Sequence, residues 1–231
     1  SNKIQPTTAA SRQFESKVFK CSLVELAQRE GRKIPRIVAK CCQFLEDTAT
    51  DLQGLLRVSA IKDDVEALKN EIDDVSGTFD LVVELLLTAP PTDGDADYSR
   101  AESPHVVGGV LKLFLRQLPD PLLTINKYNA FIKAGSTSLV HIVFLLTYLA
   151  ELQDNEERIV EIKKLLSDLP ESHYLTFQRV IKLCVKIDEK REANKMTAYN
   201  ISTVLGPNLL YGTNMNPSES HLCLIVSITR T

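Results

Sequence analysis

The chain has no tryptophan, and its 8 phenylalanines and 6 tyrosines bring the aromatic share to only 6% of 231 residues. Turn formers are scarce as well, with 9 glycines and 10 prolines. So few rings and turn residues lean away from a strand-and-turn fold and towards helices. An excess of one charge is also missing: 27 Lys and Arg against 30 Asp and Glu leave a net charge of −3. That argues against a nucleic-acid module, which carries a strongly basic domain or stripe. The five cysteines, Cys21, Cys41, Cys42, Cys184 and Cys223, are odd in number and form no C-x-x-C pair. Zinc, thioredoxin-like and disulfide-framework readings therefore lose their usual spacing, and reduced, partly buried thiols of an intracellular protein are expected. The histidines (His105, His141, His173, His221) are scattered, with no H-E-x-x-H cluster, so no metal site is expected. No G-x-G-x-x-G or Walker sequence occurs. No Ser/His/Asp, Cys/His or paired-carboxylate spacing supports a stand-alone hydrolase. The opening Ser1-Asn2-Lys3 shows neither methionine nor an apolar leader, which suggests a piece of a longer protein without a signal peptide.

What is present is ordinary for a globular chain, 44% hydrophobic and 25% charged. Residues 1–17 are polar and read as a linker or tail, and residues 18–231 read as one all-α domain of about nine helices. Ile34, Ile37, Val38, Cys41, Cys42 and Leu45 recur at helical spacing behind Pro35, with Arg36, Lys40 and Asp47 facing out. A helix over about 60–74 follows, with Ser59 as its expected N-cap and Asp63 and Asp64 in its early turns. Further helices are expected over 79–87, 105–118, 139–152, 159–169, 173–187, 198–205 and 222–228. The 139–152 run is too short and too polar in places for a membrane span and reads as a core helix. The loop 89–103 alternates Asp93, Asp95 and Asp97 like a calcium loop. Tyr98 and Pro104 stand where that motif requires Gly and Glu, so calcium is not expected.

Three segments differ from helix filler. In Gly54-Leu55-Leu56-Arg57-Val58-Ser59-Ala60, Arg57 falls in a connection between two helices, where exposed residues carry function more often than core positions do. In the segment VLKLFLRQLPDP (110–121), Val107, Val110, Leu111, Phe114 and Leu118 form a core stripe. Lys112 and Arg116, four apart on another face, repel unless an anion meets them. Gly108 and Gly109 permit close approach of another backbone, and the Leu-Pro-Asp-Pro run stops the helix. In NKMTAYNISTVLGPNLL (194–210), Thr197 is an N-cap and Gly206-Pro207 a stop. Asn200 falls inside that helix, where its poor propensity implies a specific hydrogen bond, either internal or to a partner's backbone.

Together these segments, with GRKIPRIVAKCCQFLE (31–46), SPHVVGGVLK (103–112) and LPESHYLTFQRVIKL (169–183), resemble the RhoGAP domain family over about residues 18–212. These are the GTPase-activating domains for Rho-type small GTPases. The resemblance implies that Arg57 is the arginine finger. It implies that Lys112 and Arg116 support the finger loop and contact the GTPase switch region, and that Asn200 hydrogen-bonds the GTPase backbone. Asn194, Pro207 and Asn208 match positions expected to be mainly structural. Gly108 and Ile201 depart from the family's usual Ala and Leu without removing a functional position. The implied function is activation of GTP hydrolysis on a GTP-bound Rho- or Rac-type partner by a domain that is not itself an enzyme. GTP and magnesium would belong to the partner, and the domain would need no cofactor of its own. It would act in the cytoplasm, insert in no membrane and form part of a multidomain protein, with any membrane recruitment lying outside this chain. The alternative is a non-catalytic scaffold on the same fold that holds GTP-bound GTPases, since fold alone never establishes activity.

Overall fold

Capping residues set the helix boundaries in the computed structural model, which describes residues 17–74, 103–135 and 156–211. The expected helices at 79–87, 139–152 and 222–228, most of the loop 89–103 and nearly all of the polar leader fall outside them. Helix α1 spans Leu23–Glu30; the Ser22 side chain accepts from the Glu25 N–H, and left-handed Gly31 closes the end. Helix α2, Arg36–Thr48, starts directly after Pro35. Glu30, at the end of α1, accepts the Arg36 N–H at 2.7 Å, so one carboxylate joins two helices. Then come α3 (Lys62–Asp74), α4 (Pro104–Arg116), a 3₁₀ turn (Ile125–Lys127), α5 (Tyr128–Gly135) and α6 (Glu156–Ser167). The chain continues through α7 (Glu171–Glu189), α8 (Arg191–Asn194) and α9 (Ala198–Leu209). The described residues therefore hold nine α-helices and no strand, as the helical periodicity implies.

Helix α2 packs against α4 and α7, and α4 packs in turn against α3 and α9. Ile37, Val38, Cys41, Cys42, Phe44 and Leu45 are the buried face of α2. They meet one continuous core that includes Val107, Val110, Leu111 and Phe114 of α4 and Val180, Leu183 and Cys184 of α7. Phe19 meets Phe114 edge to face at 5.8 Å. The turn carrying Phe19 is tied to α3, because Asp73 accepts the N–H groups of Val18 (2.7 Å) and Phe19 (3.0 Å). Glu46 of α2 pairs with Arg179 and Lys186 of α7. The four described cysteines are free thiols. Burial pushes the Cys42 thiol up to about 12 and those of Cys41 and Cys184 higher still, so they serve as apolar filling.

Two expectations need correction. Ser59 is exposed and does not cap α3, which begins at Lys62; the first carbonyl used by that helix is that of Ile61, bonded by the Val65 N–H. Gly206-Pro207 does not stop α9, which runs on to Leu209 with Pro207 inside it. Proline lies there in the last turn, where it forfeits a single backbone bond. The burial of Leu205 through Leu209 holds the turn, and the Leu209 carbonyl accepts the Leu123 N–H at 3.0 Å.

Candidate functional site: a cationic concavity at the 54–59 loop

The loop between α2 and α3 is shaped by what it buries. Leu55 and Leu56 turn inward and are fully buried, while Arg57, Val58 and Ser59 stay exposed. The Gly54 carbonyl accepts both the Arg57 N–H (2.9 Å) and the Val58 N–H (2.8 Å), closing a tight turn. The turn places Gly54 at φ +70° and Leu56 at φ +69°. The first is ordinary for glycine. The second costs an aliphatic residue about 1–2 kcal/mol and needs offsetting contacts.

Those contacts come from two sides. From α4, the Lys112 ammonium donates to the Leu56 carbonyl at 2.5 Å. Gly108 leaves room for the Leu56 side chain, since an added Cβ there would lie 3.1 Å from its Cδ2. Gly109 does the same for α3, since an added Cβ would come within 2.8 Å of Val65 Cγ2. The glycine pair thus admits the loop and α3 side by side onto α4. From α8, fully buried Asn194 uses its backbone and both ends of its amide. Its main-chain carbonyl accepts the Gly54 N–H at 2.7 Å. Its side-chain NH₂ donates to the carbonyls of Thr50 (2.7 Å) and Ile187 (2.6 Å), and its Oδ1 accepts the Met196 N–H at 2.7 Å. Asn194 therefore clips the start of the loop to the end of α7.

Arg57, Lys112 and Arg116 line one concavity of about 530 Å³, together with Ser59, Lys62 and, from α9, Thr203 and Asn208. None of the three cations forms an ion pair among the described residues. Burial, and then the neighbouring Arg116 charge, push the Lys112 ammonium below its ordinary value. Burial, and then the Lys112 charge, likewise lower His105, about two turns further back along α4. A hollow with four cations and a single carboxylate, Glu66, which pairs with Lys69 at 3.4 Å, is a place for an external anion. Among the described residues no group of three His, Cys, Asp or Glu side chains could hold a metal.

The remaining residues divide. Asn200 stands in the first turn of α9, outside the concavity wall, three residues before Thr203. Thr197 caps its N–H (3.3 Å) and its side-chain NH₂ donates to the Lys195 carbonyl (3.2 Å). The amide hydrogen bond expected of it is therefore internal, and its Oδ1 has no partner among the described residues. Asn208 is buried and donates to Val204 O at 2.7 Å; Pro207 is buried beside it. Leu56 and Val65 belong to the site's construction but carry no signal in the sequence, because nothing in an aliphatic residue announces a left-handed backbone or a glycine opposite it.

A sequence model of the RhoGAP domain matches residues 35–214. Human Rho GTPase-activating protein 17 is 30% identical over 200 residues, covering 87% of this chain and 19% of that protein. Rho GTPase-activating protein 92B of Drosophila melanogaster is 30% identical over 197 residues, covering 85% of this chain and 22% of that protein. The crystal structure of human Rho GTPase activating protein 15 superimposes with a TM-score of 0.67 at 23% identity, covering 97% of this chain and 94% of that one. The chain belongs to the RhoGAP domain family. It spans about a fifth of the length of these curated relatives. Among the described residues no helix is long and apolar enough to cross a membrane.

Proposed function

We propose that this domain activates GTP hydrolysis on a GTP-bound Rho- or Rac-type GTPase in the cytoplasm, with Arg57 entering the partner's active site as an arginine finger. The observation that carries the reading is the pairing of an exposed Arg57 with a rigid seat: buried Leu55 and Leu56, the Asn194 clip and the Lys112 bond to Leu56 O. Phosphoryl transfer spreads negative charge over the transferred oxygens, and catalysis consists mainly of positioning and charge stabilisation. The partner supplies GTP and magnesium, so the activator needs neither a phosphate loop nor a metal. It needs one permanently charged planar donor held on a fixed loop, which arginine provides. A finger supplied in trans is worth about 10³–10⁵ in rate, equivalent to about 4–7 kcal/mol.

The other residues take supporting roles. Lys112 fixes the finger loop through Leu56 O, and the Lys112/Arg116 face meets acidic groups of the switch region. Asn200 presents its Oδ1 to a backbone N–H of the partner, and Asn194, Pro207 and Asn208 hold the scaffold. The test is a panel of Rho-, Rac- and Ras-type GTPases scored for both affinity and single-turnover hydrolysis. Reversing Arg116 to Glu is expected to weaken association with the GTP-bound partner at least tenfold. Unchanged affinity removes that face from the interface. Binding without acceleration by the parent domain would select the scaffold reading.

A further inference from the structure

We propose that Ser59 is a phosphorylation site, and that its phosphoryl group, once attached, occupies the cationic concavity and switches the site off. The consequence for activity rests on the role given to Arg57 above; the modification itself does not.

Accessibility comes first. Ser59 is exposed, and its neighbours Val58 and Ile61 are 45% and 64% exposed although apolar. Residues 59–61 lie outside every helix, and among the described residues no backbone bond holds the N–H groups of Ser59, Ala60 or Ile61. A kinase draws its acceptor segment into a cleft, and the N–H groups of residues 59–61 are open to pairing there; of their carbonyls, that of Ile61 is engaged, by the Val65 N–H of α3. The Ser59 hydroxyl has no partner among the described residues. Thr203, the other hydroxyl on the same concavity, instead donates to Tyr199 O at 2.9 Å within its helix. Two residues before Ser59 stands the Arg57 guanidinium, a recognition charge for a kinase with an acidic peptide cleft.

Electrostatics then decide where the group goes. Ser59 shares the concavity with Arg57, Lys62, Lys112 and Arg116, and the one carboxylate on its wall is that of Glu66, 3.4 Å from the Lys69 ammonium. Phosphorylation forms a bond from Ser59 Oγ to the γ-phosphorus of a nucleoside triphosphate. The bond to the nucleoside diphosphate breaks, and the hydroxyl proton passes to the kinase's base. The product carries a charge of about −1.5 to −2 and three acceptor oxygens. It meets the cations that would otherwise face the GTPase and its phosphate, at the effective concentration that a covalent tether provides. The finger is then paired internally.

The experiment treats the domain with a panel of arginine-directed serine kinases and magnesium ATP, then maps the phosphorylated residue by peptide mass spectrometry. The expected result is incorporation at Ser59 that Ser59→Ala abolishes. The second ionisation of the phosphoserine, followed by ³¹P resonance, should fall below its ordinary value of about 6 and return towards it in Arg116→Ala. Stimulated hydrolysis by the phosphorylated domain should drop at least tenfold. No incorporation at Ser59 by any kinase overturns the proposal. So does a phosphoserine that titrates at its ordinary value or leaves stimulation intact. If the unmodified domain activates no GTPase, the functional reading fails, while incorporation and the ³¹P titration still judge the phosphoryl site.

Discussion

Leu56 and Asn194 show how single residues fix the loop that carries Arg57. The left-handed turn at Leu56 persists because its side chain is fully buried and its carbonyl is held by Lys112. Asn194 satisfies two carbonyls and one N–H; its bonds to Ile187 and Met196 are buried and that to Thr50 is part-buried. Replacing it by alanine strands those groups at about 1–3 kcal/mol each in the worst case. We expect Asn194→Ala to lower the unfolding free energy by about 3 kcal/mol in urea titration, within the range for a broken buried network. A loss near zero would show that Asn194 does not clip the loop. At this scale the sequence was partly legible. Arg57, Lys112 and Arg116 stand out because charge in a helix connection, and like charges four apart, call for a partner. Leu56 does not stand out, because its strain is visible only once the turn is built.

Between elements, the governing fact is how near α3 comes to α4. A Cβ at Gly109 would lie 2.8 Å from Val65 Cγ2, and a β-branched side chain has little freedom to yield. Gly109→Ala is therefore expected to destabilise by about 1–3 kcal/mol through overpacking, against the gain in helix propensity. Adding Val65→Ala should recover part of the loss. Thermal unfolding of the two single variants and the double variant checks this, and simple additivity would contradict it.

The α2–α7 contact carries a pH signature. Burial tends to raise the Glu46 carboxyl, but hydrogen bonds and charge from Arg179 and Lys186 win and hold it below its ordinary value of 4.5. The stability it contributes is present above that value and is lost as the pH falls through the lowered one. Glu46→Gln should cost about 1.5–3 kcal/mol at pH 7, the range for hydrogen bonds to a charged group. The deficit should shrink as the medium is acidified below 4.5. A deficit independent of pH would remove the ion pair from the account. The elements themselves were legible through spacing: α2, α4, α7 and α9 lie within a few residues of the expected helices. The α9 terminus was not, because tertiary burial overrides the stop that Gly206-Pro207 signals locally.

Across the molecule, a net charge of −3 coexists with a hollow lined by Arg57, Lys62, Lys112 and Arg116. Average composition said nothing about this cluster, which segments far apart in sequence assemble. The family resemblance brought three of these cations together before any coordinates; the packing of α4 against α3 and α9 shows how they converge. Lys62 and Ser59 had no such signal, since their place at the concavity depends on where α3 begins. The central claim is that Arg57 acts on the partner's phosphate while the rest of the surface holds the partner. It is tested most directly by single-turnover GTP hydrolysis on a Rho-type GTPase, with parent and Arg57→Ala domains at saturating concentration. The account predicts that Arg57→Ala loses about 10³-fold or more of the stimulation while binding the GTP-loaded partner nearly as tightly. Stimulation by Arg57→Ala equal to that of the parent would contradict it.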